Sequence, residues 1–171
     1  INSASVERKP SPMTPAELIT TRLKARIVAA GADIPVESLL LQALAGEKKS
    51  VASSGISLNV HISGQLHEPL PLYTFKVTAR LVAAIDDDKT GDLFKRNYDA
   101  LWAAFDFLAR GDNCTELGDE DDTPDGDTPD AHIFAVDGFQ LADGDEPDYQ
   151  ADENGGTWVT TFTATLTGRA N

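Results

Sequence analysis

Cysteine and long apolar runs are the features that this chain has least of. Its 171 residues include one cysteine, Cys114, so no disulfide can form within the chain. No stretch approaches the roughly 20 consecutive apolar residues that a membrane-spanning helix needs. The opening residues, INSASVERKPSP, lack the continuous apolar core of a secretory signal. We therefore expect no disulfide-stapled scaffold, no membrane span and no export signal.

Basic residues are nearly absent from the last third of the chain. Residues 1–110 hold 13 Lys and Arg against 12 Asp and Glu, whereas residues 111–171 hold 16 acidic residues and only Arg169 as a base. The formal net charge is −14. Binding to a phosphate backbone requires Lys and Arg side chains that displace counterions. This balance disfavours general nucleic-acid binding and favours solubility and the repulsion of other anions.

The familiar catalytic motifs are also missing. The chain has no G-x-S-x-G elbow, no P-loop and no dinucleotide-binding glycine pattern. The three histidines fall in predicted strands or loops, and His67 is followed by prolines rather than by a second zinc ligand. Asp112 and Glu116 lie beside Cys114 and disfavour its thiolate form. We therefore predict no catalytic residue, no cofactor and no enzymatic activity.

One acidic stretch, Asp119 to His132, reads DEDDTPDGDTPDAH and admits two interpretations. An EF-hand loop needs oxygen ligands at positions 1, 3 and 5, a glycine at 6 and a glutamate at 12. With Gly126 at position 6, Thr123 and His132 fall where two of the carboxylate ligands belong. The polar, Pro-containing composition favours the other interpretation, a solvated spacer. The remaining candidates for a weak cation site are Asp125, Asp127 and Asp130.

Two segments have the period of an amphipathic helix. TPAELITTRLKARIVAAG begins with Thr14 as an N-cap, Pro15 at the first helical position and Glu17 in the place of a capping box, and it ends at Gly31. The stronger helix is DDDKTGDLFKRNYDALWAAFDFLARG. Its core-facing stripe is formed by Phe94, Tyr98, Leu101, Phe105 and Leu108. A further, short helix is expected between them in PVESLLLQALAG, ending at Gly46.

Four segments alternate between apolar and polar residues, as half-buried strands do. The first two, GISLNVHISG and LYTFKVTARLVAAI, are joined by a short Pro-containing connection, so we expect them to pair antiparallel. The last two are HIFAVDGFQLA and TWVTTFTATLTG, with a turn-rich acidic hairpin loop between them. The two faces of the closing strand hold Trp158, Phe162, Ala164 and Leu166 on one side and Thr161, Thr163, Thr165 and Thr167 on the other.

The predicted order of elements is α-β-β-α-β-β. Each strand has one apolar face and each helix has one stripe to bury, and an antiparallel sheet with both helices on one face satisfies both demands. We therefore predict an α+β fold with a single domain at 14–168, which includes an acidic loop at 111–131. Residues 1–13 are expected to be a flexible N-terminal extension, and Met13, the only methionine, is the expected natural start.

Two stretches carry a resemblance to a known family. TFKVTARLVAAIDDDKTGDLFKRNYDALWAAF joins a long alternating strand, a short acidic turn and an amphipathic helix with Leu-Trp near its centre. IFAVDGFQL and GGTWVTTFTATLTG supply a strand, an acidic hairpin loop and a closing strand that begins at Trp158. Over residues 14–168 this arrangement resembles the tail terminator, or tail-completion, proteins of long-tailed bacteriophages and related prophages.

The resemblance implies a structural virion protein of the tail or neck. Proteins of that family assemble in the host cytoplasm as a hexameric ring that caps the tail tube, stops its growth and joins the head connector. The implied partners are further copies of this chain, the tail tube protein and the head–tail connector, while DNA passes through the ring without specific binding. The candidate interface residues are Trp158, Thr161, Thr163 and Thr165.

Two alternatives stay open. A neighbouring phage part, such as a head–tail connector or a minor tail subunit, would have the same sequence features. A calcium-dependent binding module built on the acidic loops belongs to a different class, and it would gain thermal stability when the ion binds the native state. A ring-forming subunit is instead expected to assemble with or without calcium.

Overall fold

The computed structural model describes residues 14–46, 54–66, 72–85, 91–118, 134–142, 144–151 and 155–170. Within these ranges the helices are α1 (Pro15–Ala29), α2 (Leu39–Leu44) and α3 (Asp92–Ala109), and a 3₁₀ turn (Asn113–Leu117) follows α3. The strands are β1 (Val36–Ser38), β2 (Gly55–Leu66), β3 (Leu72–Ala84), β4 (Phe134–Leu141), β5 (Asp148–Gln150) and β6 (Thr157–Ala170).

Helix α1 begins and ends where its sequence predicts. The Thr14 hydroxyl accepts a hydrogen bond from the backbone N–H of Glu17 at 3.3 Å, and Pro15 occupies the first turn. Just past the helix, Gly31 has a φ of 115°, a conformation that side chains disfavour, and the chain turns away. The buried apolar residues of the helix are Leu18, Ile19, Leu23 and Ile27. Burying each such side chain contributes roughly 1.5–3 kcal/mol.

Helix α3 follows the strongest apolar stripe of the sequence. It begins at Asp92, directly after Gly91, whose φ is 80°. A carboxylate in the first turn suits the positive end of the helix dipole. The predicted stripe is confirmed, since the buried residues include Phe94, Leu101, Phe105 and Leu108, with Tyr98 partly buried. The helix therefore presents one face to the core along its whole length.

Three long strands form the centre of one sheet. The strand order is β1-β2-β3-β6-β4, and β5 also pairs with β6. Strand β3 pairs antiparallel with β2 on one side and with β6 on the other, in the latter case without a register shift. Strands β4 and β5 lie one after the other along the free edge of β6. Helix α1 packs on β2, and α3 packs on β3, β4 and β6. The predicted α+β fold, with both long helices on one face of the sheet, is confirmed.

The core lies between these helices and one face of the sheet. Every second residue of β3 enters it, namely Phe75, Val77, Ala79, Leu81 and Ala83. The rings of Phe75 and Phe134 meet edge to face, with centroids 5.5 Å apart. Gly168 on β6 leaves room for Phe134, because a Cβ added at Gly168 would lie 2.5 Å from the ring. A side chain at position 168 would therefore displace a central aromatic residue.

The segment PVESLLLQALAG departs from its predicted structure. The sequence predicts one helix here, but its first half forms β1, and only α2 is helical. Strand β1 pairs parallel with β2, placing Val36 opposite Ile56, and both side chains are buried. The Ser38 hydroxyl then caps α2 by accepting a hydrogen bond from the N–H of Leu41 at 3.4 Å. The sheet is therefore mixed rather than wholly antiparallel, because burial of Val36 outweighs the local helical pattern.

The predicted hairpin loop before β6 also contains a short strand. Strand β5 pairs with the beginning of β6, with Tyr149 opposite Trp158. Their rings pack edge to face at a centroid distance of 5.2 Å, and the Tyr149 hydroxyl donates a hydrogen bond to the Gly155 carbonyl at 2.6 Å. Within the described ranges, the observed order thus adds the short strands β1 and β5 to the predicted α-β-β-α-β-β, and α2 is the shortened form of the short helix expected in PVESLLLQALAG.

The predicted acidic loop at 111–131 begins with an ordered turn. Cys114 and Leu117 in the 3₁₀ turn are both buried in the core. The carboxylate of Glu116 accepts hydrogen bonds from two guanidinium nitrogens of Arg26 on α1, and the shortest of these is 2.7 Å. The guanidinium of Arg26 also lies 4.2 Å from the centre of the Phe107 ring. Residues 113–117 are therefore part of the packed fold and not of a solvated loop.

Gly118 and Phe134, the described residues on either side of the stretch 119–133, lie next to each other. Gly118 lies against β4, where an added Cβ would be 2.5 Å from the carbonyl oxygen of Phe134. The two residues that bound the stretch 119–133 are thus in contact. The stretch itself lies outside the described residues, as does the predicted N-terminal extension at 1–13.

Candidate functional site

One face of the sheet has no covering layer among the described residues. The long helices pack on the opposite face, so the side chains that alternate with the core residues point outward. We call this outward surface of the three long strands the open face. Its polar residues are Ser57, Asn59 and His61 on β2, Thr74, Lys76, Thr78 and Arg80 on β3, and Thr161, Thr163, Thr165, Thr167 and Arg169 on β6.

Three of the four predicted interface residues lie together on the open face. The register pairs each of them with a residue of β3: Thr161 with Arg80, Thr163 with Thr78, and Thr165 with Lys76. Directly opposed residues in antiparallel strands have Cβ atoms about 4.5–5.5 Å apart. Threonine hydroxyls and cationic side chains therefore form one continuous polar surface, with Thr163 near its centre. Their role in an interface stays a prediction.

The open face carries positive charge in an otherwise acidic protein. Strands β2, β3 and β6 contain no Asp or Glu, although the chain has 28 acidic residues. Lys76 and Arg80 are exposed, and within the described ranges neither forms an ion pair with a carboxylate. At the β4 side of the sheet, Arg169 pairs with Asp137 at 3.0 Å. Lys76 and Arg80, two cations without a paired carboxylate in the described ranges, attract an acidic partner.

Trp158 lies apart from the three threonines. Its side chain is partly buried on the covered face of the sheet, where it packs against the core. Its ring lies 5.9 Å from the ring of Phe94 on α3 and 5.2 Å from that of Tyr149 on β5. Trp158 therefore joins the helix layer to the β5 edge.

Trp102 borders a groove that the sequence does not reveal. The side chain of Trp102 is 51% exposed, and it projects from α3 outside the buried stripe. The groove has a volume of about 150 Å³, and its lining also includes Tyr98, Leu141, Phe162 and residues 142 and 144–147. Pockets for drug-sized ligands are typically about 300–1,000 Å³. This groove is therefore of the size that accepts one side chain of a larger partner.

Hydrogen bonds to β6 hold the outer wall of the groove. The N–H of Ala142 donates to the Thr163 carbonyl at 2.9 Å, and the N–H of Asp145 donates to the Thr161 carbonyl at 3.2 Å. The Thr160 hydroxyl donates to the Asp145 carbonyl at 2.8 Å. Asp145 and Glu146 are exposed residues that line the groove, and we call them its acidic rim; in the described part of the chain neither pairs with a base. An aromatic wall and an acidic rim together make a site suited to a cation.

The predicted metal candidates Asp125, Asp127 and Asp130 lie outside the described residues. Among the residues that are described, no group of three or more His, Cys, Asp or Glu side chains is placed to hold a metal ion. Burial raises the pKa of the Cys114 thiol, and the carboxylates of Asp112 and Asp137 raise it further. The sequence predicts the direction of the pKa shift and the contribution of Asp112, but burial is the larger cause, and the second contributing acid is Asp137 rather than Glu116.

No helix in the described ranges is long and apolar enough to cross a membrane. No protein-family model matches the chain, and no curated protein matches it significantly. Among solved structures, the chain is similar to one chain of the "Virion of native gene transfer agent (GTA) particle". The TM-score is 0.42 at 12% sequence identity, and the match covers 88% of this chain and 97% of that chain. A likeness of this size leaves the function to be inferred from the chain's own surfaces.

Proposed function

We propose that this protein is a structural virion subunit that assembles with copies of itself, in the manner of a phage tail terminator. The observation that carries the proposal is the open face, a polar surface over three long strands that carries Lys76 and Arg80 without carboxylates among them. Because the chain has a net charge of −14, other parts of its own surface are acidic and complement such a face. One copy can therefore dock its open face on a different, acidic surface of the next copy.

Contact between two different surfaces repeats from each copy to the next. Such a contact closes into a ring when the rotation between neighbours divides a full turn, and it otherwise grows into a filament. The number of six copies, and the position at the head-proximal end of a tail, are inferred from the resemblance of the sequence to tail terminators. The excess of negative charge suits a ring around DNA, because like charge repels phosphate.

The proposal is tested by the mass in solution, measured by light scattering across a range of protein concentrations, first with calcium and then with EDTA. A discrete oligomer of about six copies in both conditions is expected. A folded chain that is monomeric at every concentration would contradict self-assembly. A chain that gains mass or compactness only with calcium would replace the ring with the calcium-dependent binding module.

A matched pair of variants tests the use of the open face. Thr163→Asp places a carboxylate near the centre of the open face, whereas Thr115→Asp places one on the exposed surface of the 3₁₀ turn. We expect Thr163→Asp to weaken assembly and Thr115→Asp to leave it unchanged, with both variants folded by circular dichroism. Equal assembly by the two variants would exclude the centre of the open face from the interface.

The finer role is tested on tail tubes. Added to growing tubes of the cognate tail tube protein, a terminator binds one end and stops elongation, which electron microscopy reports as tubes of limited length. A head–tail connector or a minor tail subunit would leave the tube length unchanged. That result would keep the structural subunit and reject the terminator role.

A further inference from the structure

The groove beside Trp102 has the chemistry of a receptor for one cationic side chain. An indole face attracts a cation through its quadrupole, most strongly when water is excluded. The carboxylates of Asp145 and Glu146 at the rim supply the opposite charge. The backbone of Asp145 is fixed by its hydrogen bonds to β6, so the rim is held in place before a ligand arrives. A volume of about 150 Å³ accepts a side chain rather than a cofactor.

The matching cations are on the same chain. Lys76 and Arg80 are exposed cationic residues of the open face, and unlike Arg169, which pairs with Asp137, neither has an ion-pair partner among the described residues. They stand four residues apart on β3, a separation of about 13 Å. One of them can therefore enter a groove while the other remains outside it. Arg80 suits the groove better, because a guanidinium stacks on an aromatic ring and bonds a carboxylate with two nitrogens.

The two surfaces cannot meet within one copy. Tyr98 and Phe162, which line the groove, belong to the helix-covered side of the sheet, whereas Lys76 and Arg80 project from the opposite side. A contact between them must therefore join two copies, and it must be head-to-tail, since each copy offers the groove to one neighbour and the open face to another.

We infer that the Trp102 groove, with its acidic rim at Asp145 and Glu146, is the surface on which a second copy of this chain docks the Lys76 and Arg80 side of its open face. This inference rests on the proposed self-assembly, and it names both halves of the repeating contact. It assigns a function to Trp102, which the packing of α3 leaves half exposed.

Charge reversal on each half tests the contact. The groove variant carries Asp145→Lys and Glu146→Lys, and the face variant carries Lys76→Glu and Arg80→Glu. Each variant alone opposes like charges across the contact, so the concentration at half-assembly should rise at least about tenfold. A 1:1 mixture of the two variants opposes unlike charges at every contact and should restore assembly. Asp112→Lys, on the exposed surface after α3, serves as the charge control and should assemble as the unaltered chain does.

A second pair of variants distinguishes binding in the groove from non-specific association through exposed apolar residues. Trp102 and Leu39 are both large exposed apolar residues, at 51% and 65% exposure, but only Trp102 lines the groove. Trp102→Ala should weaken assembly and Leu39→Ala should not, with the melting temperature of each variant confirming that it is folded.

The assembly of these variants tests the head-to-tail contact separately from self-assembly. Loss of assembly in each charge variant with recovery in the mixture supports the head-to-tail contact. A groove variant that assembles as the unaltered chain does would overturn the inference while leaving self-assembly intact. Folded variants that fail to recover on mixing would overturn it in the same way. An unaltered chain that is monomeric at every concentration would instead overturn the proposed function, and this inference with it.

Discussion

Asn97 holds the connection between α1 and β1 against α3, and its removal gives the sharpest test of how the helix layer is fixed. The side chain is fully buried. Its carbonyl oxygen accepts a hydrogen bond from the N–H of Asp33 at 3.0 Å. Its amide nitrogen donates to the Asp33 carboxylate at 2.7 Å and to the Leu93 carbonyl at 2.8 Å. Asn97→Ala removes all three bonds and adds none.

The cost of Asn97→Ala can be estimated from these contacts. A hydrogen bond to a charged group contributes about 1.5–3 kcal/mol, and an ordinary one contributes about 0.5–1.5 kcal/mol. The carboxylate of Asp33 is partly exposed and keeps its ion pair with Arg96, so water and Arg96 compensate in part. We expect a loss of about 2–4 kcal/mol in the free energy of unfolding. For a chain of this size, that lowers the melting temperature by roughly 5–15 °C.

The loss should also depend on pH. The hydrogen bond from Asn97 is the largest cause that lowers the pKa of Asp33 below its ordinary value of 3.8, and burial opposes it. A carboxyl group whose pKa is lower in the folded state stabilises the fold above its unfolded pKa and loses that contribution as the pH falls through the folded pKa. Because Asn97→Ala lets the pKa of Asp33 rise, the stability gap between the two proteins should narrow below about pH 4.

Urea unfolding at pH 7 and at pH 3 measures both effects. The matched control is Asn113→Ala, because the amide of Asn113 makes one exposed hydrogen bond, to the Phe107 carbonyl at 2.9 Å. The control should lose no more than about 1 kcal/mol at either pH. Equal losses for the two variants, or a gap for Asn97→Ala that is the same at both pH values, would refute the reasoning.

Three further predictions concern the 3₁₀ turn and the acidic stretch. Arg26→Ala should lower the free energy of unfolding by about 1–2 kcal/mol in urea, because it removes the two hydrogen bonds to the Glu116 carboxylate. Arg110→Ala, which removes an exposed ion pair to Asp106 at the C-terminal end of α3, should cause no measurable loss. Cys114 should react with a thiol reagent at neutral pH only at the rate of unfolding, since burial keeps its thiol protonated and covered; rapid labelling of the folded protein would contradict this. Deletion of 119–130 should leave cooperative unfolding intact and stability within about 2 kcal/mol, because the bounding residues are in contact and a shorter loop closes at slightly lower entropic cost. Loss of cooperativity would show that the stretch is part of the fold.

The long elements were predictable because their periodicity records which face is buried. The apolar stripe on α3 and the alternation on β3 and β6 each extend over many residues. Over such a length the period of a helix can be distinguished from that of a strand. Strand β1 has three residues, too few to show a period, and the run of leucines that follows it favours a helix. Its conformation is decided by pairing with β2, which is distant in the sequence, so local pattern could not reveal it.

The two surfaces of the candidate site also differ in how far local sequence pattern predicts them. The threonines of the open face follow from alternation on β6, although their alignment with Lys76 and Arg80 depends on the register with β3. The Trp102 groove combines α3, the end of β4, residues 142 and 144–147, and β6, which only the folded chain brings together. Its one signal in the sequence is a tryptophan directly beside the buried stripe of α3. Burial of Cys114 and Leu117 had no comparable signal, because acidic neighbours surround them.

Self-assembly through the open face is tested most directly by native mass spectrometry, which counts the copies in each particle. The unaltered chain should give a single closed species of six copies, in calcium and in EDTA alike. The same measurement on the chain carrying Lys76→Glu and Arg80→Glu should give monomers with an unchanged melting temperature. A folded chain that is monomeric throughout, or a particle of unchanged size in the charge-reversed protein, would contradict the open face as the assembling surface.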